Sequence, residues 1–402
     1  MTQQTKTVIV IGAGIAGCAS AYALANKGWQ VTLIERQAAV AQEGSGNPRG
    51  VIYPRLAGHE TIQDQLALSS YIYTLKLLTN LGLSQHDMDL CGLLQLGFNQ
   101  REATRLQEIA HRKLGEDIAQ HVNAEQACAI AGIVISYDAL YFPQAGWLKP
   151  SAYCKALIKN HRIKVIYNTE VFDFININNS WKVQSKNGFI TQADAIVIAN
   201  ANDALQFKLS AHLPLTAVRG QMSSIEATSQ SAKIKTVLCS DGYLTPALEH
   251  IHCLGATFAT NETSTEVRLA DNLSNLAMIK KISADLSSLD LEQMQGRAAL
   301  RCTTPDYMPL VGELINADSL RLSPPKHISP APALPKHKGL FVNLGHGSKG
   351  LTTAPFCAEI LACMMSQQPL PADMPLVQAL NPNRYLLKDL GLKRLIADST
   401  LR

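Results

Sequence analysis

The stretch TVIVIGAGIAGCASAYALANKGWQVTLIER (residues 7–36) constrains this chain more than any other. Residues 7–11 are a continuous apolar run ended by Gly12, as expected of a strand buried on both faces. Residues 15–27 are rich in Ala and Leu and read as a helix, with Gly28 just past its end. WQVTLIE (29–35) reads as a second, β-branched strand. Strand, glycine turn, helix and strand in this order form a βαβ unit, whose parallel strands require the helical crossover.

The turn is G-x-G-x-x-G, with Gly12, Gly14 and Gly17. In such a turn the first glycine permits the tight bend, the second lets backbone approach a pyrophosphate, and the third lets helix and strand pack closely. The helix N-terminus offers unpaired N–H groups and partial positive charge to phosphates. Glu35 ends the second strand, where a carboxylate accepts from ribose hydroxyls and disfavours a 2′-phosphate, which argues against NADP. A nicotinamide dinucleotide, a flavin and a turn kept for packing all fit these residues alone. Three further features favour a flavin. The fingerprint begins within a dozen residues of the first residue. ADAIVIANAND (193–203) is a buried strand far downstream that can return beside the adenosine half. NLGHGSKGLTTAP places a second glycine-rich turn before a late helix, whose N-terminus can stabilise an anionic reduced ring.

At 402 residues the chain buries a large core and is expected to divide into two lobes. Hydrophobic residues make up 47% and charged residues 17%, and no apolar run reaches the length that spans a bilayer, so no membrane association is expected. No secretory signal is expected either, since glycines interrupt the apolar start. The nine cysteines are scattered, odd in number and without a C-x-x-C pair. They read as small buried hydrophobes in a reducing cytoplasm rather than as disulfides or a metal site. The net charge of +4 mildly favours an anionic partner.

Downstream, residues 61–81 read as a helix and 92–98 (GLLQLGF) as a strand. Residues 214–300 read largely as strands and turns. Residues 321–338, with five prolines and no acid, read as an extended loop. GLFVNLG (339–345) returns to a strand, followed by a helix.

These residues resemble the D-amino-acid-oxidase-like flavoproteins, which include glycine and sarcosine oxidases. QEGSGNPRGVIYPRL, CGLLQLGF, YFPQAGWLKP, LPLTAVRGQMS, TVLCSDGYLTPA, HCLGATF, LRCTTPDYMPLVGEL and LGHGSKGLTTAPFCAEILA together are similar to the FAD-dependent oxidoreductase domain of the bifunctional tRNA 5-methylaminomethyl-2-thiouridine biosynthesis family. The resemblance runs from the first strand to PNRYLLKDL. It implies an α/β (α+β overall) fold with a Rossmann-like FAD-binding domain (1–85, 151–210 and 300–402). An interleaved substrate domain (86–150 and 211–299) is built on a mostly antiparallel sheet. The bifunctional members carry a methyltransferase domain before the flavin domain, so this chain is read as a stand-alone form or an excised domain without methyl transfer of its own.

The implied substrate is tRNA bearing a 5-carboxymethylaminomethyl group on wobble uridine 34, with or without 2-thiolation. Oxidation of the methylene between nitrogen and carboxylate, then hydrolysis of the imine, releases glyoxylate and leaves a 5-aminomethyl uridine. An oxidase of free glycine, sarcosine or a similar small amine is the alternative. Arg301 matches the arginine that clamps the substrate carboxylate, although Cys302 follows where proline is frequent. Lys349 is placed near the flavin or the substrate, and Tyr243 in the substrate cavity. For FAD the resemblance carries over Gly12, Gly14, Gly17, Glu35, Arg36, Ser45, Gly46, Asn47, Val171, Ala199, Asn200, Gly345, Gly347, Ser348, Lys349, Gly350 and Leu351. Arg219 and Gly220 either approach the ring or make a turn. The basic loop 321–338 and NPNRYLLKDLGLKR are expected to meet tRNA phosphates, and the anticodon loop is the expected partner, beside a possible methyltransferase domain or protein. A monomer is expected.

Overall fold

A computed structural model describes residues 5–112, 114–260, 262–325 and 333–397. Packing divides the chain into two compact units: Met1–Ser45, Cys154–Thr216 and Arg301–Arg402 form one, and Gly46–Tyr153 and Ala217–Leu300 the other. The first break thus falls at Ser45 instead of near 85, because the helix Ile62–Thr79 packs with the second unit.

The first unit is built on β1 (Thr7–Ile11), α1 (Ile15–Asn26) and β2 (Gln30–Ile34). Its six-stranded sheet has the order Leu310–Ile315, Lys336–Leu344, Ala195–Ile198, β1, β2, Ile163–Ile166. Every pairing is parallel except the outer one, between Leu310–Ile315 and Lys336–Leu344. Buried on both faces, the central strands carry Ile and Val throughout. Ile9, Ile11, Ile196, Ile198, Leu340 and Val342 form one core with Phe174, Trp181 and Phe207. Trp181 and Phe174 belong to an antiparallel sheet of Asp173–Ile177, Ser180–Ser185 and Gly188–Ala193. α1 is buried nearly all round, as its Ala-rich sequence requires, and packs against the helix Gly350–Ser366.

The second unit holds a larger, mostly antiparallel sheet. Its order is Ala259–Thr260, Thr216–Glu226, Ile251–Gly255, Tyr243–Leu244, Val237–Cys239, Leu93–Leu96, Ala139–Phe142, Gln120–Val122, and Gln295–Thr303 also pairs with Thr216–Glu226. Side chains alternate along strands, so Leu94, Leu96, Leu238, Leu244, Leu254 and Ile225 share one face. There they form a core with Leu276 and Ile279 of the helix Leu269–Lys280. The opposite face carries Gln95, Cys239 and Tyr243 in direct register.

The helix Leu269–Lys280 departs from the reading of 214–300 as largely strands and turns. Its inner face is partly polar. Asn272 Oδ1 accepts from Gln221 Nε2 at 2.8 Å, and Asn275 Nδ2 donates to Ser223 Oγ at 3.0 Å, so hydrogen bonds replace part of the apolar stripe. The loop expected at 321–338 is likewise shorter. Arg321 and Leu322 end the helix Ala317–Leu322, a strand starts at Lys336, and residues 326–332 lie outside the described residues.

Candidate active site and dinucleotide cradle

Between β1 and α1 the chain turns in a space that excludes side chains. Gly12 donates its N–H to Ile34 O at 2.8 Å and holds φ at +95°, in the region that favours glycine. A methyl there would lie 2.8 Å from Asn200 Cα. A methyl at Gly17 would lie 2.9 Å from the Gly12 carbonyl carbon and closer still to its oxygen. Gly14 caps α1 with no side-chain hydrogen bond of its own. Ser45 supplies one, its Oγ accepting from Ile15 N–H at 3.0 Å. Glu35 completes the cradle from the end of β2. Its Oε2 accepts from Ala13 N–H at 2.7 Å and its Oε1 from Gln37 N–H at 2.8 Å, so backbone donors orient the buried carboxylate. Gly12, Gly14, Gly17, Glu35 and Ser45 are therefore brought together.

Ala199 continues the neighbouring strand, donating its N–H to Ile11 O at 2.9 Å. Beside it, Asn200 Oδ1 and Asn202 Oδ1 are buried without a hydrogen-bond partner among the described residues. Such an atom costs about 1–3 kcal/mol unless something donates to it. A cradle closed to side chains and orphaned acceptors beside it fit a bound dinucleotide with donor groups of its own. The Val171 side chain is buried in the core, which leaves its backbone as the part available to a ligand. Arg36 is held at the rim by ion pairs to Asp203 at 2.8 Å and Glu43 at 3.2 Å.

The late glycine turn closes the same unit. Gly345 and Gly347 hold φ at +79° and +56°, and Gly347 N–H donates to Cys302 O at 2.7 Å. Lys349 caps the helix Gly350–Ser366, and its carbonyl accepts from the N–H groups of Thr352 and Thr353. A methyl at Gly350 would sit 3.2 Å from Ile15 Cγ2, so the N-terminal turns of two helices approach closely. Ser348 and Lys349 are exposed, Leu351 half-buried. Arg301 precedes Cys302, and its carbonyl accepts from Asn202 Nδ2 at 3.4 Å. Its backbone is thus bracketed by the Asn200–Asn202 turn and the Gly345–Gly347 turn. Burial pushes the Cys302 thiol up to about 12, which keeps it protonated and inert.

His346, which sequence reasoning passed over inside HGSKG, ties this turn to its surroundings. Its Nδ1 lies 3.0 Å from Thr353 Oγ1 and its Nε2 2.9 Å from Asn343 Oδ1, and Asn343 Nδ2 donates to Ser20 Oγ of α1 at 3.0 Å. Burial lowers His346 from 6.5 to about 3 and His212 to about 4, so both rings are neutral near pH 7. The unfolded chain then binds more protons as the pH falls below about 6.5, so the stability these rings contribute is lost progressively from there, the loss being complete only at about 4 for His212 and about 3 for His346. Each histidine is expected to add up to about 1.4 kcal/mol per pH unit to the acid limb of the stability profile. Denaturant titrations between pH 7 and 4.5 measure this, with His346→Gln giving the shallower slope; equal slopes would refute it.

In the second unit, Gly46 and Asn47 follow Ser45 in the chain, and Arg297 Nη1 donates to Asn47 Oδ1 at 3.1 Å. Tyr243 is half-buried and pairs with Cys239 and Gly255. Arg219 makes no turn: it lies inside Thr216–Glu226, fully buried, paired with Asp271 at 2.6 Å and donating to the carbonyls of Ser264 and Glu266. With these donors committed to its own unit, Arg219 is a structural anchor, and Gly220 is the next residue of that strand.

The phosphate-contact expectation for NPNRYLLKDLGLKR holds one misassignment. Arg384 is buried, with Nη2 2.8 Å from Asp306 Oδ1, and its donors also reach the Met308 and Pro309 carbonyls. Lys388, Lys393 and Arg394 are exposed, and the latter two line a cavity of about 830 Å³ with Arg384 and Gln378. No helix among the described residues is long and apolar enough to cross a membrane.

Comparison with known proteins gives three findings. The chain matches the model of the family described as FAD dependent oxidoreductase (DAO) over residues 7–364. It is 46% identical over 390 residues to the tRNA 5-methylaminomethyl-2-thiouridine biosynthesis bifunctional protein MnmC of Methylobacillus flagellatus, a match covering 96% of this chain and 60% of that protein. The protein of the same name from Pseudomonas savastanoi pv. phaseolicola is 40% identical over 396 residues, covering 96% of this chain and again 60% of its own length. The chain therefore spans about 60% of the length of these curated relatives. Among solved structures, glycine oxidase from Geobacillus kaustophilus aligns with a TM-score of 0.76 at 19% identity, covering 94% of this chain and 99% of that one. Iminodiacetate oxidase from Chelativorans sp. BNC1 aligns with a TM-score of 0.74 at 19% identity, covering 93% and 98%. At such identities the likeness is one of fold.

Proposed function

Since the chain belongs to the FAD dependent oxidoreductase (DAO) family, we propose that it removes the carboxymethyl group from 5-carboxymethylaminomethyl uridine, with or without 2-thiolation, at the tRNA wobble position. The observation that carries this reading is 46% identity across 96% of the chain to a protein named for tRNA modification. When bound, FAD supplies the two-electron oxidation of the methylene between the amine nitrogen and the carboxylate.

The chain's residues supply binding and orientation. Gly12, Gly14, Gly17 and the N-terminus of α1 hold the pyrophosphate, with Ser45, Gly46 and Asn47 on the adjoining loop. Glu35 takes ribose hydroxyls with the lone pairs its backbone donors leave free, Arg36 borders that end, and Val171, Ala199 and Asn200 line the adenosine side. Gly345, Gly347, Ser348, Lys349, Gly350 and Leu351 present a positive helix end to the ring. Arg301 grips the substrate carboxylate through the planar fork that suits it. Tyr243 is assigned to the substrate side. Water adds to the resulting imine carbon, and collapse of that adduct releases glyoxylate and leaves the aminomethyl group on the base. The wobble base lies in a single-stranded loop, so it is splayed out without unpairing a helix. Lys388, Lys393 and Arg394 offer phosphate contacts. Working beside a methyltransferase, as a domain of one chain or as a separate protein, belongs to the same reading.

The fold likeness to glycine and iminodiacetate oxidases favours a second reading, oxidation of a free small amino acid. The two separate in one experiment. The yellow FAD-loaded protein is incubated with carboxymethylaminomethyl-bearing tRNA, with glycine and with sarcosine, and nucleosides and glyoxylate are quantified. Aminomethyl uridine formed with equimolar glyoxylate supports the tRNA reading. Flavin bleaching by the free amines alone reverses the order.

A further inference from the structure

On the sheet of the second unit, the face turned away from the Leu94, Leu238 and Leu254 core carries a buried amide that the fold does not use. Gln95 sits within Leu93–Leu96 at 3% exposure, and its Oε1 is buried with no hydrogen-bond partner among the described residues. An orphaned amide oxygen costs about 1–3 kcal/mol, whereas a leucine of similar volume continues this leucine-rich strand without that cost. Gln95 pairs with Cys239, and Cys239 pairs with Tyr243. Directly paired side chains share a face, so Gln95 points the same way as Tyr243. On that face Phe142, paired with Leu93, meets the Tyr53 ring edge-on at 6.1 Å between centroids. An amide whose oxygen has no partner among the described residues thus shares an aromatic-bearing sheet face with the tyrosine assigned to the substrate cavity.

Building on the tRNA reading above, we infer that Gln95 reads the uracil ring of the wobble nucleotide, Oε1 accepting from N3–H and Nε2 donating to O4. A primary amide offers an acceptor and a donor side by side in one plane, and the N3–H/O4 edge of uracil is their complement. Splayed single-stranded bases are recognised along this edge. O4 adjoins C5, the carbon bearing the group to be removed. The atom at position 2 takes no part, and 2-thiolated and unthiolated uridines are recognised alike.

The test uses the full FAD-loaded chain and anticodon stem-loops carrying 5-carboxymethylaminomethyl uridine, with or without a methyl group on N3. Binding is followed by fluorescence anisotropy. N3 methylation is expected to weaken binding to the parent protein about 10-fold or more. Gln95→Leu is expected to bind both stem-loops equally, at the weaker level. Gln95→Glu keeps an acceptor for N3–H and is expected to keep discriminating. Should Gln95→Leu fail to take up FAD, Gln95→Met carries the same comparison. A parent protein indifferent to N3 methylation, or a Gln95→Leu protein that still discriminates, overturns the role of Gln95 and leaves the tRNA reading standing. A parent that binds neither stem-loop overturns both.

Discussion

Replacing Gly17 by alanine is expected to leave the protein colourless and largely unfolded in its first unit. The added methyl would lie 2.9 Å from the carbonyl carbon of Gly12 and closer to its oxygen, and both neighbours are main-chain atoms that no rotamer change can move. Relief requires α1 to shift off β1, against a helix buried nearly all round. Forced overpacking of a close-packed interior costs about 1–3 kcal/mol, and a clash with fixed backbone stands at or above the top of that range. Gly14→Ala is the contrast. Its φ of −72° is ordinary, and the methyl meets only Ser45 Oγ at 3.3 Å. This variant is expected to fold but to bind FAD more weakly, because the methyl stands where the phosphates approach. Thermal unfolding with flavin absorbance reads both. A Gly17→Ala protein as stable and as yellow as the parent would refute the packing argument.

Arg301→Ala is expected to retain FAD and lose turnover. The proposed substrate brings a carboxylate, and losing the partner of a desolvated, hydrogen-bonded charge costs about 2–5 kcal/mol, roughly 30-fold to several thousand-fold in kcat/KM. The Arg301 carbonyl is held by Asn202 and the next residue by Gly347, so the origin of its side chain is fixed to the turns assigned to the cofactor. Arg301→Lys is expected to recover only part of the loss, since an ammonium cannot make the two-pronged contact. Kinetics on modified tRNA with an unchanged flavin spectrum would support the assignment. Parental turnover in Arg301→Ala would remove Arg301 from it.

The sequence was most legible where one residue type alone satisfies the backbone. Gly12 and Gly17 are such positions, and from them the order of β1, α1 and β2 could be drawn nearly to the residue. The strand Ala195–Ile198 was legible for a related reason: burial on both faces leaves an uninterrupted apolar run, whereas of Lys336–Leu344 only the part from Gly339 read as strand, because Lys336, His337 and Lys338 are polar. Legibility failed where polar groups do the packing. Asn272 and Asn275 hide a helix because their partners, Gln221 and Ser223, lie some fifty residues away. Arg219 was left between approaching the ring and making a turn because its partners, Asp271 and the Ser264 and Glu266 carbonyls, are equally distant in sequence. His346 stood in plain view within HGSKG, yet its partner Ser20 comes through Asn343, from the other end of the chain. A rule of thumb follows for such chains: a glycine turn announces itself, whereas a buried amide or imidazole shows its task only once its neighbours are placed.

The strand order of the first unit also governs how this protein is made. β1 leaves the ribosome before the rest of its sheet, and the strand that lies next but one to it, Lys336–Leu344, and the helix that shields α1, Gly350–Ser366, arrive hundreds of residues later. Until then the nascent chain displays an alanine-rich helix and bare strand edges, surfaces that invite aggregation and delay long-range pairing. On the assignment of the Gly345–Gly350 turn to the flavin, capture of the cofactor waits on this late segment.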